Sequence, residues 1–151
     1  LVQYQKLVIP RFIVHDMQAR EVSVDDYFKI SAGGGTHIAS GYQEINKIVD
    51  GEGLARDYNI YVFQGTDGED FNPEGNNAIK EIEKILGYVN RMGVCVIRDP
   101  HHEEKESEFE QYVKDGNFTD KKDLFRMHIM PGKGVTDEKN IEAVKILIAQ
   151  D

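Results

Sequence analysis

Apolar residues along this chain fall into short runs that alternate with helically spaced faces. Residues 7–14, Leu-Val-Ile-Pro-Arg-Phe-Ile-Val, are an almost continuous apolar run whose length and β-branched content predict a buried strand. Pro10 has no N–H to give a neighbour, so the strand either starts after it or has one side unpaired there. Residues 21–30 alternate loosely and predict a second, more exposed strand, antiparallel to the first across residues 16–20. Ile38, Tyr42, Ile45, Ile48 and Val49 mark one face of a helix over residues 37–49, ended by Gly51 and Gly53. Residues 58–63 predict a strand. Residues 78–92 predict a helix with Ile79, Ile82, Ile85, Leu86 and Val89 on one side, closed by Gly93. Residues 94–97 predict a strand stopped by Asp99-Pro100. A short helix around Phe109, Tyr112 and Val113, a strand at 124–130 and a turn at 131–134 follow. A last helix spans 137–149, with Ile141, Val144, Leu147 and Ile148 inward.

Strand and helix alternate from residue 58 onward. That order implies parallel strands joined by helical crossovers, and a sheet with helices on both faces. The expected class is therefore α/β: one domain over residues 1–151, with three layers and a mostly parallel sheet carrying one antiparallel edge strand. Ligands of such sheets sit beyond the carboxyl ends of the strands. Three predicted strands end in an acid there, Asp16, Asp67 and Asp99. Frequent use of Asp in turns is an equal explanation for Asp16 and Asp99.

Charge narrows the partners. The chain has 27 acidic and 18 basic residues, a net charge of -9, and no basic stripe. Nucleic acid and anionic membranes are disfavoured, whereas a divalent cation or a basic protein partner fits. The single cysteine, Cys95, excludes an internal disulfide and lies in an apolar run, where it reads as a small core residue. The sequence has no run of 18 apolar residues and no signal peptide, so a cytoplasmic location is expected.

Asp67 stands in Gln-Gly-Thr-Asp-Gly-Glu-Asp, directly after a β-rich run, where a carboxylate can ligate a hard cation such as Mg²⁺. Thr36 closes a Gly-Gly-Gly loop and opens a helix, so its hydroxyl is either an oxygen ligand or a helix cap. Two other patterns carry less. Asp70 to Glu81 nearly has calcium-loop spacing, but a strand precedes it and Pro73 stiffens it. His101-His102 has no spaced Cys or His partner and reads as a solvated loop.

Three ordered blocks, residues 12–16 (Phe-Ile-Val-His-Asp), 34–40 (Gly-Gly-Thr-His-Ile-Ala-Ser) and 57–70, together resemble the YeaH/YhbH family of bacterial stress and sporulation proteins. The resemblance implies a von Willebrand A-type fold with a metal-ion-dependent adhesion site holding Mg²⁺ or Mn²⁺. It implies Thr36 and Asp67 as metal ligands, with Asp16 and Gly35 behind them. An Asp-x-Ser-x-Ser loop after a first strand should complete that site, and no such motif occurs in these residues. The implied fold is thus truncated at its N-terminus. The implied first strand would be central, between residues 7–14 and 58–63, and its absence would leave two edges open to a swapped strand or a homo-oligomer.

The reading favoured is a non-catalytic protein-binding module. The resemblance implies action beside a serine protein kinase and a SpoVR-like protein. The alternatives are a metal-dependent hydrolase using Glu69 or Asp70 at the same edge, and a metal-free structural fragment.

Overall fold

Seven residues with helices on both sides and strands at both edges form the middle of the molecule. The computed structural model describes residues 8–30, 36–71 and 75–149. In chain order its elements are β1 (Phe12–His15), β2 (Ala19–Val22), α1 (Val24–Tyr27), α2 (Ile38–Glu52), α3 (Leu54–Asp57), β3 (Tyr61–Thr66), α4 (Asn76–Leu86), β4 (Arg91–Ile97), α5 (Glu108–Asp115), a 3₁₀ turn (Phe118–Asp120), β5 (Phe125–Met130) and α6 (Asp137–Ile148). Strands β3, β4 and β5 form a parallel sheet in that order, with Phe63 level with Gly93 and Gly93 level with Arg126. β1 and β2 form a separate antiparallel hairpin, with His15 opposite Ala19.

The period of two along each strand sorts the side chains into layers. Val62 of β3 and Met92, Val94 and Val96 of β4 face one way. There they join Ile38 and Tyr42 of α2, Ala78, Ile82 and Ile85 of α4, and Phe109 and Val113 of α5 in one core. Phe63 and Gly93 face the other way, toward Leu147 of α6. A Cβ on Gly93 would come within 2.9 Å of the Phe63 ring and 3.1 Å of Leu147, so only glycine lets α6 approach the sheet this closely. The three layers are therefore α2, α4 and α5, then the sheet, then α6.

Local chemistry sets the element ends. Gly53, at a positive φ of 64°, terminates α2, where Cβ-bearing residues are disfavoured. Ser107 and Glu110 form a reciprocal capping box at the start of α5, and the Thr136 hydroxyl accepts the Lys139 N–H at the start of α6.

Several expectations need correction. The first strand begins at Phe12, after Pro10, as loss of an N–H at Pro10 allows; Leu7 lies outside the described residues. The second strand is Ala19–Val22, and residues expected to continue it turn into α1, because the Ser23 hydroxyl accepts the Asp26 N–H and caps a helix. The predicted helix at 78–92 stops at Leu86, and Arg91 and Met92 belong to β4. Of the four residues expected inward on α6, only Leu147 is buried; Ile141, Val144 and Ile148 are exposed and Ala143 takes the inner position. The antiparallel strands do not form an edge of the main sheet but a sheet of their own.

The contrast between two isoleucines checks this core. Ile82→Ala, at a fully buried site, is expected to lower unfolding stability by about 2–5 kcal/mol through lost contacts and a residual cavity. Ile141→Ala, on the exposed stripe of α6, should change it by less than about 0.5 kcal/mol. Urea unfolding followed by circular dichroism measures both, and equal losses would mean that α6 has its faces assigned wrongly.

Candidate functional site

Backbone bonds lock three loops together at the carboxyl edge of the strands. Asp16 follows β1, and its backbone carbonyl accepts the His37 N–H at 2.8 Å. Thr36 precedes α2, and its carbonyl accepts the Phe71 N–H at 2.8 Å. Asp70, in the loop after β3, accepts the Ile38 N–H at 3.3 Å through Oδ1, which places its charge at the start of α2. Its Oδ2 accepts the Tyr112 hydroxyl of α5 at 2.9 Å. Asp67 stands three residues earlier, directly after β3, with Oδ1 accepting the Glu69 N–H at 3.0 Å. The structure thus brings the Asp16, Thr36 and Asp67 loops to one edge. Gly35 lies outside the described residues, as does the Pro73 segment of the calcium-like loop.

Asp99, after β4, completes the row of acids. Its Oδ1 accepts the His101 N–H and its Oδ2 meets His102 Nδ1, both at 2.8 Å. The His101 N–H and then the His102 ring hold its carboxyl below the usual range. Asp67, Asp70, Arg98, Asp99, His102 and Lys105 are among the residues lining an open cleft of about 340 Å³. Acids and bases share its wall.

Two polar networks beneath this edge were not among the candidates. Gln64 of β3 accepts the hydroxyl of fully buried Tyr42 through Oε1, so its amide N–H₂ donates to His15 Nε2 at 3.1 Å. Burial depresses the His15 pKa against the pull of Asp16, Asp67 and Asp70, which favours the neutral ring. The second network surrounds Glu110, whose side chain is only 3% exposed. Arg98 Nη2 donates to it at 2.6 Å, and the Ser107 N–H donates at 3.0 Å. Burial alone would raise the Glu110 pKa, but the Arg98 and Ser107 hydrogen bonds outweigh it and hold the carboxyl below its ordinary range. The Ser-x-x-Glu spacing of the cap was readable from sequence. Nothing local announces that Arg98, at the end of another strand, turns onto it.

These donors do not make a complete ion site. Among the described residues no group of three or more His, Cys, Asp or Glu is placed to hold a metal ion. Thr36 and Asp67 offer two oxygen-bearing side chains, and Asp67 already has one oxygen in a turn.

Both networks predict acid sensitivity. Glu110 has a depressed pKa in the fold, so its contribution is complete above the ordinary carboxylate range and is lost as pH falls through the folded value. Arg98→Ala should cost about 3–5 kcal/mol at neutral pH by stranding a buried carboxylate, and less in acid, where Glu110 is neutral. His15 also has a depressed pKa, so its stabilisation is complete above about pH 6.5 and declines below it, as the unfolded ring takes up a proton first. His15→Gln should flatten that slope, as read from urea midpoints between pH 5 and 8, on the order of the normal histidine range. An unchanged slope would remove His15 from the network.

Comparison with known proteins finds similar chains of one bacterial family. The UPF0229 protein of Clostridium botulinum (strain Eklund 17B / Type B) is 28% identical over 120 residues, 76% of this chain and 31% of that protein. The UPF0229 protein OB2647 of Oceanobacillus iheyensis is 33% identical over 82 residues, 54% of this chain and 21% of that protein. The UPF0229 protein of Ruminiclostridium cellulolyticum is 30% identical over 82 residues, with the same coverage. The chain spans about a fifth to a third of the length of these relatives. The model of the family described as "Protein of unknown function (DUF444)" matches residues 2–131, and this chain belongs to that family.

Proposed function

We propose that this chain is a protein-binding module that meets its partner with the carboxyl edge of the sheet. The observation that carries the reading is the locking of three loops at that edge. Asp16 holds His37, Thr36 holds Phe71, and Asp70 holds Ile38, so the acids beside them keep a fixed geometry. A surface that is already rigid loses little entropy on binding. Its concentration of acids, on a chain of net charge -9, favours a basic segment of a partner or a cation shared with an acidic one.

The finer form of this reading follows the resemblance to the YeaH/YhbH family. In it the fold is of von Willebrand A type, and Thr36 and Asp67 are two of the ligands of an adhesion-type Mg²⁺ or Mn²⁺ site. Two side chains leave most of the coordination of such an ion to water, so retention by this chain alone would be weak. The partners in this form are a serine kinase and a SpoVR-like protein of a cytoplasmic stress or sporulation response.

Calorimetric titration of Mg²⁺ and Mn²⁺ into this chain and into Asp67→Ala tests the ion. Weak binding that disappears in the variant is expected. Equal heats in both proteins would move the ion away from Asp67, and no heat in either would leave the edge as a metal-free surface.

A further inference from the structure

The hydrogen-bond chain from α2 to the hairpin has its direction fixed at one end. The Tyr42 hydroxyl is fully buried, and burial pushes its pKa up, so it keeps its proton. Its acceptor among the described residues is Gln64 Oε1. The Gln64 amide therefore points its N–H₂ at His15 Nε2, 3.1 Å away. That nitrogen must offer a lone pair, so the neutral ring carries its proton on Nδ1. Nδ1 is buried and has no hydrogen-bond partner among the described residues. A second proton on the ring has to go on Nε2, where it sets donor against donor at the Gln64 contact.

The amide cannot turn over to repair this. A flip would give the Gln64 oxygen to His15 but take it from Tyr42, leaving a buried hydroxyl unpaired. The ring has no slack against the helix either, since a Cβ on Gly41 would come within 3.2 Å of it. Charges around the ring pull it elsewhere. Asp16 at the end of its own strand, and Asp67 and Asp70 in the loop after β3, all favour the charged form. From β2, Ala19 stands opposite His15, and Arg20 pairs with Asp16 at 3.9 Å. From α2 come Gly41, the Tyr42 hydroxyl and His37, whose backbone N–H is held by the Asp16 carbonyl. A charged His15 thus loses its partner in the core and is drawn to three acids at the carboxyl edge of the sheet.

Few other bonds tie the hairpin down. Among the described residues, His15–Gln64 is the hydrogen bond that runs directly from the hairpin to the parallel sheet. The Asp16–His37 bond and the exposed Arg11–Glu52 pair both run to α2 instead.

We propose that His15 is a proton-operated latch between the β1–β2 hairpin and the parallel sheet. The neutral ring accepts from Gln64 and keeps the latch closed. The protonated ring leaves Gln64, turns toward Asp16, Asp67 and Asp70, and frees the hairpin to move on α2. The Asp16 loop moves with it, so the three locked loops have a closed form near neutral pH and a loosened form in mild acid. Burial places the opening below the ordinary histidine value of 6.5, because the folded ring resists the proton. The latch is a property of the fold and stands whether or not that edge binds a partner.

Amide hydrogen exchange of this chain at about pH 7.5 and about pH 5.5 tests the latch, with rates expressed as protection factors so that the intrinsic pH dependence cancels. NMR of the imidazole nitrogens reads His15 itself. The neutral ring should be the Nδ1–H tautomer at the higher pH and charged at the lower. Protection at the His37 amide and at residues 12–15 and 19–22 should then fall about tenfold, while Val94 and Val96 of β4 keep theirs. Gln64→Glu sets an acceptor against both Tyr42 and a charged His15, and should abolish the loss. His15→Phe, which takes up no proton, should make hairpin protection independent of pH. An Nε2–H neutral tautomer, or a hairpin equally protected at both pH values, would overturn the proposal. So would a parallel loss in β4, which is global unfolding, or an acid loss that persists in His15→Phe.

Discussion

The packing of α2 against both sheets is the contact on which the rest of this structure depends. Ile38 and Tyr42 enter the core beside Val62, while Gly41 gives room to His15 of the hairpin. A fully buried tyrosine hydroxyl must find a partner, and Tyr42 finds it in Gln64, which passes the bond on to His15. One helix therefore fixes β1 relative to β3 although no backbone ladder joins them. Arg11 adds a second tie from the hairpin to the end of the same helix, through Glu52, and also pairs with Glu21. That clamp is largely exposed and is a modest contribution beside the buried contacts.

The seat of α2 also arranges the candidate surface. Its first turn receives the Asp16 carbonyl from one sheet and the Asp70 carboxylate from the other. Chemistry that wants several acids from distant parts of the chain is thus assembled by a helix start. Asp70 and Tyr112 extend the assembly to α5, which the Arg98–Glu110 pair joins to the end of β4. The acids at this edge are held by neighbours in the loops around them, and Tyr42, Gln64, Arg98 and Glu110 under them are bonded, the usual condition for polar groups to sit near a core without large cost. His15 Nδ1 is the exception, buried without a partner among the described residues.

The separation of the two sheets has the same origin. The bond between hairpin and main sheet runs through α2 and a pair of side chains, and among the described residues no backbone ladder joins β1 to β3. Tyr61 and Phe63 of β3 and Ile141, Val144 and Ile148 of α6 are among the exposed apolar residues.

The sequence by itself determined the α/β class, the parallel order of its last three strands, the buried faces of α2 and α4, and the acids at strand ends. These follow from local periodicity, in which a period of two or 3.6 is written into consecutive residues. Ser23 and Ser107 both carry cap spacings that a reading by periodicity alone does not use, and it carries the second strand on through Ser23. Tertiary structure alone decided that the hairpin stands apart, that Arg98 turns onto Glu110, that Asp70 anchors α2, and which side of α6 is bare. Each of these depends on what lies across space from a residue. Leu147 and Val144 read alike along the chain, yet Leu147 packs over Gly93 and is buried while Val144 is exposed, because among the described residues no element covers its side of the helix.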